Sequence, residues 1–273
     1  MPGRIDVGGY CLEIAATGVS APPVVCVSGL TGAMGEWSEV REALDSRTSL
    51  VTYSRPALGT SDHLPAALAV KSHPPSWAAA QLQTLLDHAG VASPRILVGH
   101  SIGALIVEAY AARWPQEAAG MVLVDPAHPR GHLELFREPT PTDDEHGGIR
   151  FDMHAGHNER LHFPRPRFPT AVISGADDRW NRETNPDEYR PYTLDEIGRR
   201  WREFQREWVA RTNAVHVIAH RAGHGVHEEA PDLVALAISA VLEAARGSTA
   251  MFLDPSAVDA AGGSLVAAPA EAR

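Results

Sequence analysis

The sequence predicts an α/β fold: a mostly parallel sheet with helices on both faces and a small lid insertion. Three observations carry that expectation. Short apolar runs recur along the chain, each bounded by Gly, Pro, Ser or charged residues, as buried strands are. Between them, apolar residues repeat at threes and fours, which puts them on one face of a helix. With 273 residues, 44% of them hydrophobic, the chain is long and apolar enough to fill one large core.

Taken in order, the run from Tyr10 to Ile14 is expected to add an antiparallel edge. The strands proper follow at Val24-Val25-Cys26-Val27, Leu50-Val51-Thr52-Tyr53, Ile96-Leu97-Val98, Met121-Val122-Leu123-Val124, Ala171-Val172-Ile173 and Val215-His216-Val217-Ile218. Near-continuous apolar character of this kind marks strands covered on both faces. Leu82, Leu85, Leu86 and Ala89 fall at i, i+3, i+4 and i+7, and Leu194, Ile197, Trp201, Phe204 and Trp208 repeat in the same way. Pro231 suits a first helical turn, and Leu233, Leu236, Ala237, Ala240 and Val241 give the helix that closes the fold near Arg246. One domain over residues 1–246 is therefore expected.

Two stretches break the rhythm. Residues 127–169 carry six histidines, many prolines and few large apolar residues, so they are expected to form a lid over one sheet edge. Residues 247–273 are rich in Ala, Gly and Ser without periodicity and are expected to be a mobile tail.

Charge and cysteine content exclude several partners. The 24 basic and 34 acidic residues leave a formal net charge of −10, which repels phosphate backbones and anionic membrane. No apolar run reaches the roughly 18 residues of a membrane helix. Cys11 and Cys26 supply neither a disulfide framework nor zinc-ligand spacing, so a reducing, cytoplasmic location is expected. The histidines of the lid region, His154 and His157 among them, show no recognisable ligand motif; no metal and no cofactor are expected. The expected partner is a small-molecule substrate.

The strongest chemical signal is Gly99-His100-Ser101-Ile102-Gly103, directly after one expected strand and directly before the apolar helix that starts at Ala104. A serine in so tight a turn projects its hydroxyl above the sheet edge, and small residues two positions away on each side let the backbone close up. The Ile102 amide then stands at a helix N-terminus, where it can stabilise a developing oxyanion. A serine hydroxyl needs a base and an orienting acid. Ser174-Gly175-Ala176-Asp177-Asp178 follows one strand and Ala222-Gly223-His224-Gly225 follows the last, giving the chain order Ser, Asp, His.

These motifs together resemble the α/β-hydrolase fold superfamily of serine hydrolases over roughly residues 8–246. The stretch from Tyr53 to Asp62 is similar to the family segment written D-R-x-G-x-G-x-S-D, with Ser54 in place of its Asp. Gly175 to Asp178 matches the acid loop, and Gly223-His224 followed by Glu229-Ala230-Pro231 matches the histidine loop. The resemblance implies Ser101 as nucleophile, His224 as general base and then acid, and Asp178 as the orienting acid. Asp125 is the alternative acid, since some members supply it from that strand end; Asp177 and Arg179 are then solvated charge. The resemblance also implies the Leu30 amide as second oxyanion donor beside Ile102, although Ser28-Gly29 stands where many relatives have His-Gly. His100 is expected to be a packed elbow residue, and His220 and His227 surface or strand-end residues.

The resulting expectation is cleavage of a small carboxylic ester, thioester or lactone through an acyl-serine intermediate. Acyl transfer, a nonhydrolytic biosynthetic reaction, and ligand binding without turnover are the alternatives. An epoxide or haloalkane hydrolase is disfavoured, because such relatives carry Asp at the position of Ser101.

Overall fold

The computed structural model describes residues 3–182 and 189–267. The strands are β1 (Gly3–Asp6), β2 (Cys11–Thr17), β3 (Val24–Val27), β4 (Leu50–Tyr53), β5 (Ser72–His73), β6 (Arg95–His100), β7 (Ala118–Val124), β8 (Arg150–Phe151), β9 (Thr170–Ser174), β10 (Val215–Ala219) and β11 (Gly263–Leu265). The helices are α1 (Ser38–Ala43), α2 (Ala66–Ala69), α3 (Pro75–His88), α4 (Ile102–Arg113), α5 (Met153–Arg160), α6 (Leu194–Thr212), α7 (Val226–Glu229), α8 (Pro231–Gly247) and α9 (Pro255–Ala260).

Among the described residues one sheet runs in the order β1-β2-β4-β3-β6-β7-β9-β10-β11, and β5 pairs with β8 apart from it. From β4 through β10 every pairing is parallel, while β1, β2 and β11 join antiparallel. Alternate side chains of the strands feed two separate cores. Val25, Val27, Leu97, Met121 and Leu123 point towards α3 and α4, whereas Val24, Cys26, Ile96, Val98 and Val122 point towards α1 and α8. The period of two along each strand thus explains why these runs read as continuously apolar.

Two expectations change. The strand at Tyr10–Ile14 is not an edge, because β1 folds back on it: Val7 N donates to Tyr10 O at 2.9 Å around a turn holding Gly8 and Gly9 at positive φ. Residues 255–265 of the expected mobile tail are ordered. Asp254 caps α9, Val258 and Leu253 are buried in the α8 side of the core, and β11 pairs with β10. Residues 268–273 of that stretch lie outside the described residues.

The lid region also departs from a simple flap. Near Leu135 it meets Trp180 and the Ile197, Trp201 and Phe204 face of α6 in a third apolar cluster, which joins separated stretches of chain. Further on, residues 141–151 turn back to the body, where Asp143 is fully buried beside the loop after β3.

Candidate active site

Ser101 lies between β6 and α4 with φ 51° and ψ −119°, a left-handed conformation costly for a residue with a Cβ. The flanking glycines make the turn possible. A Cβ on Gly99 would lie 2.6 Å from Gly103 O, and one on Gly103 would lie 2.2 Å from Val27 O. The Ser101 amide donates to Val124 O at 3.0 Å, which ties the turn to β7.

His224, in the loop after β10, completes the arrangement. Its Nε2 is 2.9 Å from Ser101 Oγ, and its Nδ1 is 2.5 Å from Asp125 Oδ2. A carboxylate only accepts, so Nδ1 carries the hydrogen and Nε2 offers its lone pair to the serine hydroxyl. Asp125, at the C-terminal end of β7, therefore occupies the place for which the sequence favoured Asp178. Both ring nitrogens of His224 are engaged, which leaves no nitrogen for Asp178 in the loop after β9. That loop serves the acid differently: Gly175 N donates to Asp125 Oδ1 at 3.0 Å.

Asp125 is fully buried and sits at a positive φ of 38°. Besides His224 and Gly175 it receives Arg179 on Oδ2 and Trp201 Nε1 on Oδ1 at 3.3 Å. Burial alone pushes its carboxyl up. The Arg179 charge, the His224 hydrogen bond and the Gly175 amide outweigh burial and hold the group well below the usual carboxylate range. Arg179 was expected to be solvated; only 7% of it is exposed, and its guanidinium lies over the rings of Trp180 and Trp201 at 4.8 and 4.7 Å.

The loop after β3 is held from beneath by Arg55. This fully buried cation donates to Ser28 O at 2.7 Å and Gly29 O at 2.5 Å, and pairs with both oxygens of Asp143 at 2.6 and 2.7 Å. Asp143 Oδ1 also accepts from Thr31 N at 3.0 Å. The Leu30 amide thus lies in a segment fixed on both sides, while the Ile102 amide is the first of α4 and has no intrahelical acceptor. Where relatives carry an imidazole, Ser28 Oγ accepts from Trp37 Nε1 at 3.0 Å and donates to Ala33 O at 3.1 Å, so the substitution is satisfied locally. Ser54, in place of the motif's Asp, donates to Glu13 Oε2 at 2.8 Å and accepts from Met34 N at 3.1 Å.

Ser101 and His224 open into a cavity of about 690 Å³ walled by Phe136, Trp180, Tyr189 and Trp201. Glu138 and Glu229 also reach this wall, and His132 lies 3.7 Å from the Glu138 carboxylate.

The family model for the alpha/beta hydrolase fold matches residues 22–156. The chain is an α/β-hydrolase-fold protein. A thermophilic esterase from Thermogutta terrifontis superposes on this α/β-hydrolase-fold chain with a TM-score of 0.64 at 19% identity, over 90% of the chain and 99% of the esterase. The thioesterase domain from the curacin biosynthetic pathway gives 0.58 at 18% identity, over 86% and 97%. The uncharacterized protein YqjL of Bacillus subtilis (strain 168) is 23% identical over 238 residues, 81% of this chain and 83% of its own.

The sequence missed Arg179, Trp201 and Asp143. Arg179 and Trp201 are unremarkable in their local contexts; the loop after β9 carries Arg179, and α6 carries Trp201, onto Asp125 at the end of β7. His227, expected to be a surface or strand-end residue, is 1% exposed within α7, whereas His220 is exposed at the end of β10. Among the described residues, no helix is long and apolar enough to cross a membrane. Cys11 and Cys26 are both free thiols.

Proposed function

We propose that this protein cleaves a small, neutral carboxylic ester or thioester through an acyl-serine intermediate. The observation that carries the reading is the continuous hydrogen-bonded chain from Ser101 through His224 to Asp125. As Ser101 Oγ adds to the substrate carbonyl, its proton passes to His224 Nε2, and the imidazolium so formed faces the Asp125 carboxylate. The Ile102 and Leu30 amides receive the oxyanion. Collapse of the tetrahedral species breaks the bond to the leaving group, which takes the proton from Nε2. Water then repeats the sequence on the acyl-serine, with His224 as base, and releases the acid.

The wall supports the substrate class. Its volume falls in the usual range for small-molecule sites, and four aromatic side chains favour a flat or apolar substituent. Arg179 directs its charge onto Asp125, while Glu138 and Glu229 lie on the wall, so a neutral group is favoured over an anionic one.

The test combines a fluorophosphonate probe with chromogenic aryl esters. Stoichiometric labelling of Ser101, ester turnover, and loss of both in Ser101→Ala are expected. A folded wild-type protein that neither labels nor turns over any ester, or a Ser101→Ala variant with unchanged rate, overturns the proposal. Product analysis with an added alcohol separates hydrolysis from acyl transfer.

A further inference from the structure

Beside the Ser101 turn, and not among the residues that line the cavity, Glu36, His100 and His227 converge. One ligand-capable atom from each lies within 4.8 Å of the others, and this is the group of that kind among the described residues. His100 and His227 are 6% and 1% exposed. Glu36 Oε2, His100 Nδ1 and both ring nitrogens of His227 are buried without a hydrogen-bond partner in the protein. Buried polar atoms are rarely left so, and several in one place point to something that satisfies them together.

Their chemistry says what that is. His100 Nε2 lies 2.9 Å from His224 O, a carbonyl that can only accept, so Nε2 carries the hydrogen and Nδ1 presents a lone pair. Glu36 Oε2 is also an acceptor, and it lies 3.6 Å from His227 Nε2, too far for a hydrogen bond. A neutral His227 adds one more lone pair. Lone pairs from two imidazoles and a carboxylate therefore face one another with too few donors among them. We propose that Glu36, His100 and His227 form a divalent transition-metal site suited to zinc.

Two imidazole nitrogens and one carboxylate oxygen, completed by water, are a common zinc ligand set, whereas magnesium and calcium prefer all-oxygen surroundings. The rings of His100 and His227, with centroids 4.2 Å apart, open by about 1 Å to admit the ion. The Glu36 side chain, 24% exposed, gives the way in. The site joins three segments. Glu36 lies in the turn after the Leu30 loop, His100 at the end of β6 and His227 in α7 just beyond His224. Gly29 packs on the same ring, since a Cβ there would lie 2.6 Å from His100 Nδ1. A bound ion thus staples the loops around Ser101 without entering the cavity.

The test is a titration of chelator-treated protein with zinc chloride, read by elemental analysis after gel filtration, competition with a chromogenic chelator, and Tm. One zinc per chain and a Tm raised by several degrees are expected, with no such effect of magnesium. Glu36→Gln and His227→Asn, each checked for an unchanged far-ultraviolet spectrum, are expected to weaken zinc binding by roughly tenfold or more. Substoichiometric zinc in the wild type overturns the proposal and leaves a water or a shared proton as the occupant. So does unchanged affinity in both variants, which moves the zinc to surface histidines such as His154 and His157. Neither result bears on the ester-cleavage reading, whose test uses Ser101.

Discussion

Replacing Asp125 by Asn, with Asp178→Asn beside it, separates the two acids. Each oxygen of Asp125 receives two donors: His224 and Arg179 on Oδ2, Gly175 N and Trp201 Nε1 on Oδ1. An amide supplies only one oxygen, so its NH2 group must face two donors whichever way it turns. If it faces His224, the ring loses the acceptor that fixes its tautomer, the defect that costs a serine protease about 10⁴ in kcat. That corresponds to about 5.5 kcal/mol of transition-state stabilisation. If it faces Gly175 and Trp201 instead, the loss appears in stability, at about 3 kcal/mol for a broken buried charge pair. Steady-state hydrolysis of an aryl ester, normalised to folded protein by Tm and circular dichroism, reads both. Asp178→Asn is expected to stay within about 0.5 kcal/mol, or roughly twofold in rate. The reasoning is refuted if Asp178→Asn loses the larger factor while Asp125→Asn retains wild-type turnover.

Arg179→Met removes a buried partner of Asp125 and is expected to lower stability by about 3 kcal/mol in chemical denaturation. It also changes acid unfolding. A carboxyl depressed on folding adds stability above its unfolded pKa near 3.9, and loses it as pH falls through the folded value. Without Arg179 the depression is smaller, so the acid-unfolding midpoint moves to higher pH. Arg55→Met, which frees Ser28 O and Gly29 O, is expected to cut kcat by about 10² with a smaller change in KM, because it loosens the Leu30 segment and not the cavity wall. A chain ending at Gly247 loses the burial of Leu253 and Val258, and its thermal unfolding is expected to show a loss of about 3 kcal/mol or more.

The parts legible in the sequence were those whose chemistry is local. Ser101 announced itself through two glycines whose Cβ positions are filled by backbone, and His224 through the glycine-flanked turn after the last long strand. The acid was not local in this sense. β7 and β9 are neighbours, so Asp125 and the Gly175 loop emerge side by side, and either could have carried the carboxylate that meets His224. The spacing from Gly175 to Asp178 matched the acid loop, yet here that glycine supplies an amide to the acid of the adjacent strand. β11 was illegible because three residues, Gly263-Ser264-Leu265, are too few to show a period of two. Its strand character comes from the open side of β10, which a one-dimensional pattern does not contain.

Arg179 is at once part of the aromatic wall and the buried ion-pair partner of Asp125, the acid of the proposed proton relay. Grip and chemistry are therefore wired through one guanidinium. Any redesign that reshapes the indoles to admit a bulkier molecule also disturbs the cation balancing Asp125. Selectivity and speed in this scaffold must be tuned jointly, and directed evolution towards new substrates should find compensating changes at position 179 sooner than at the serine.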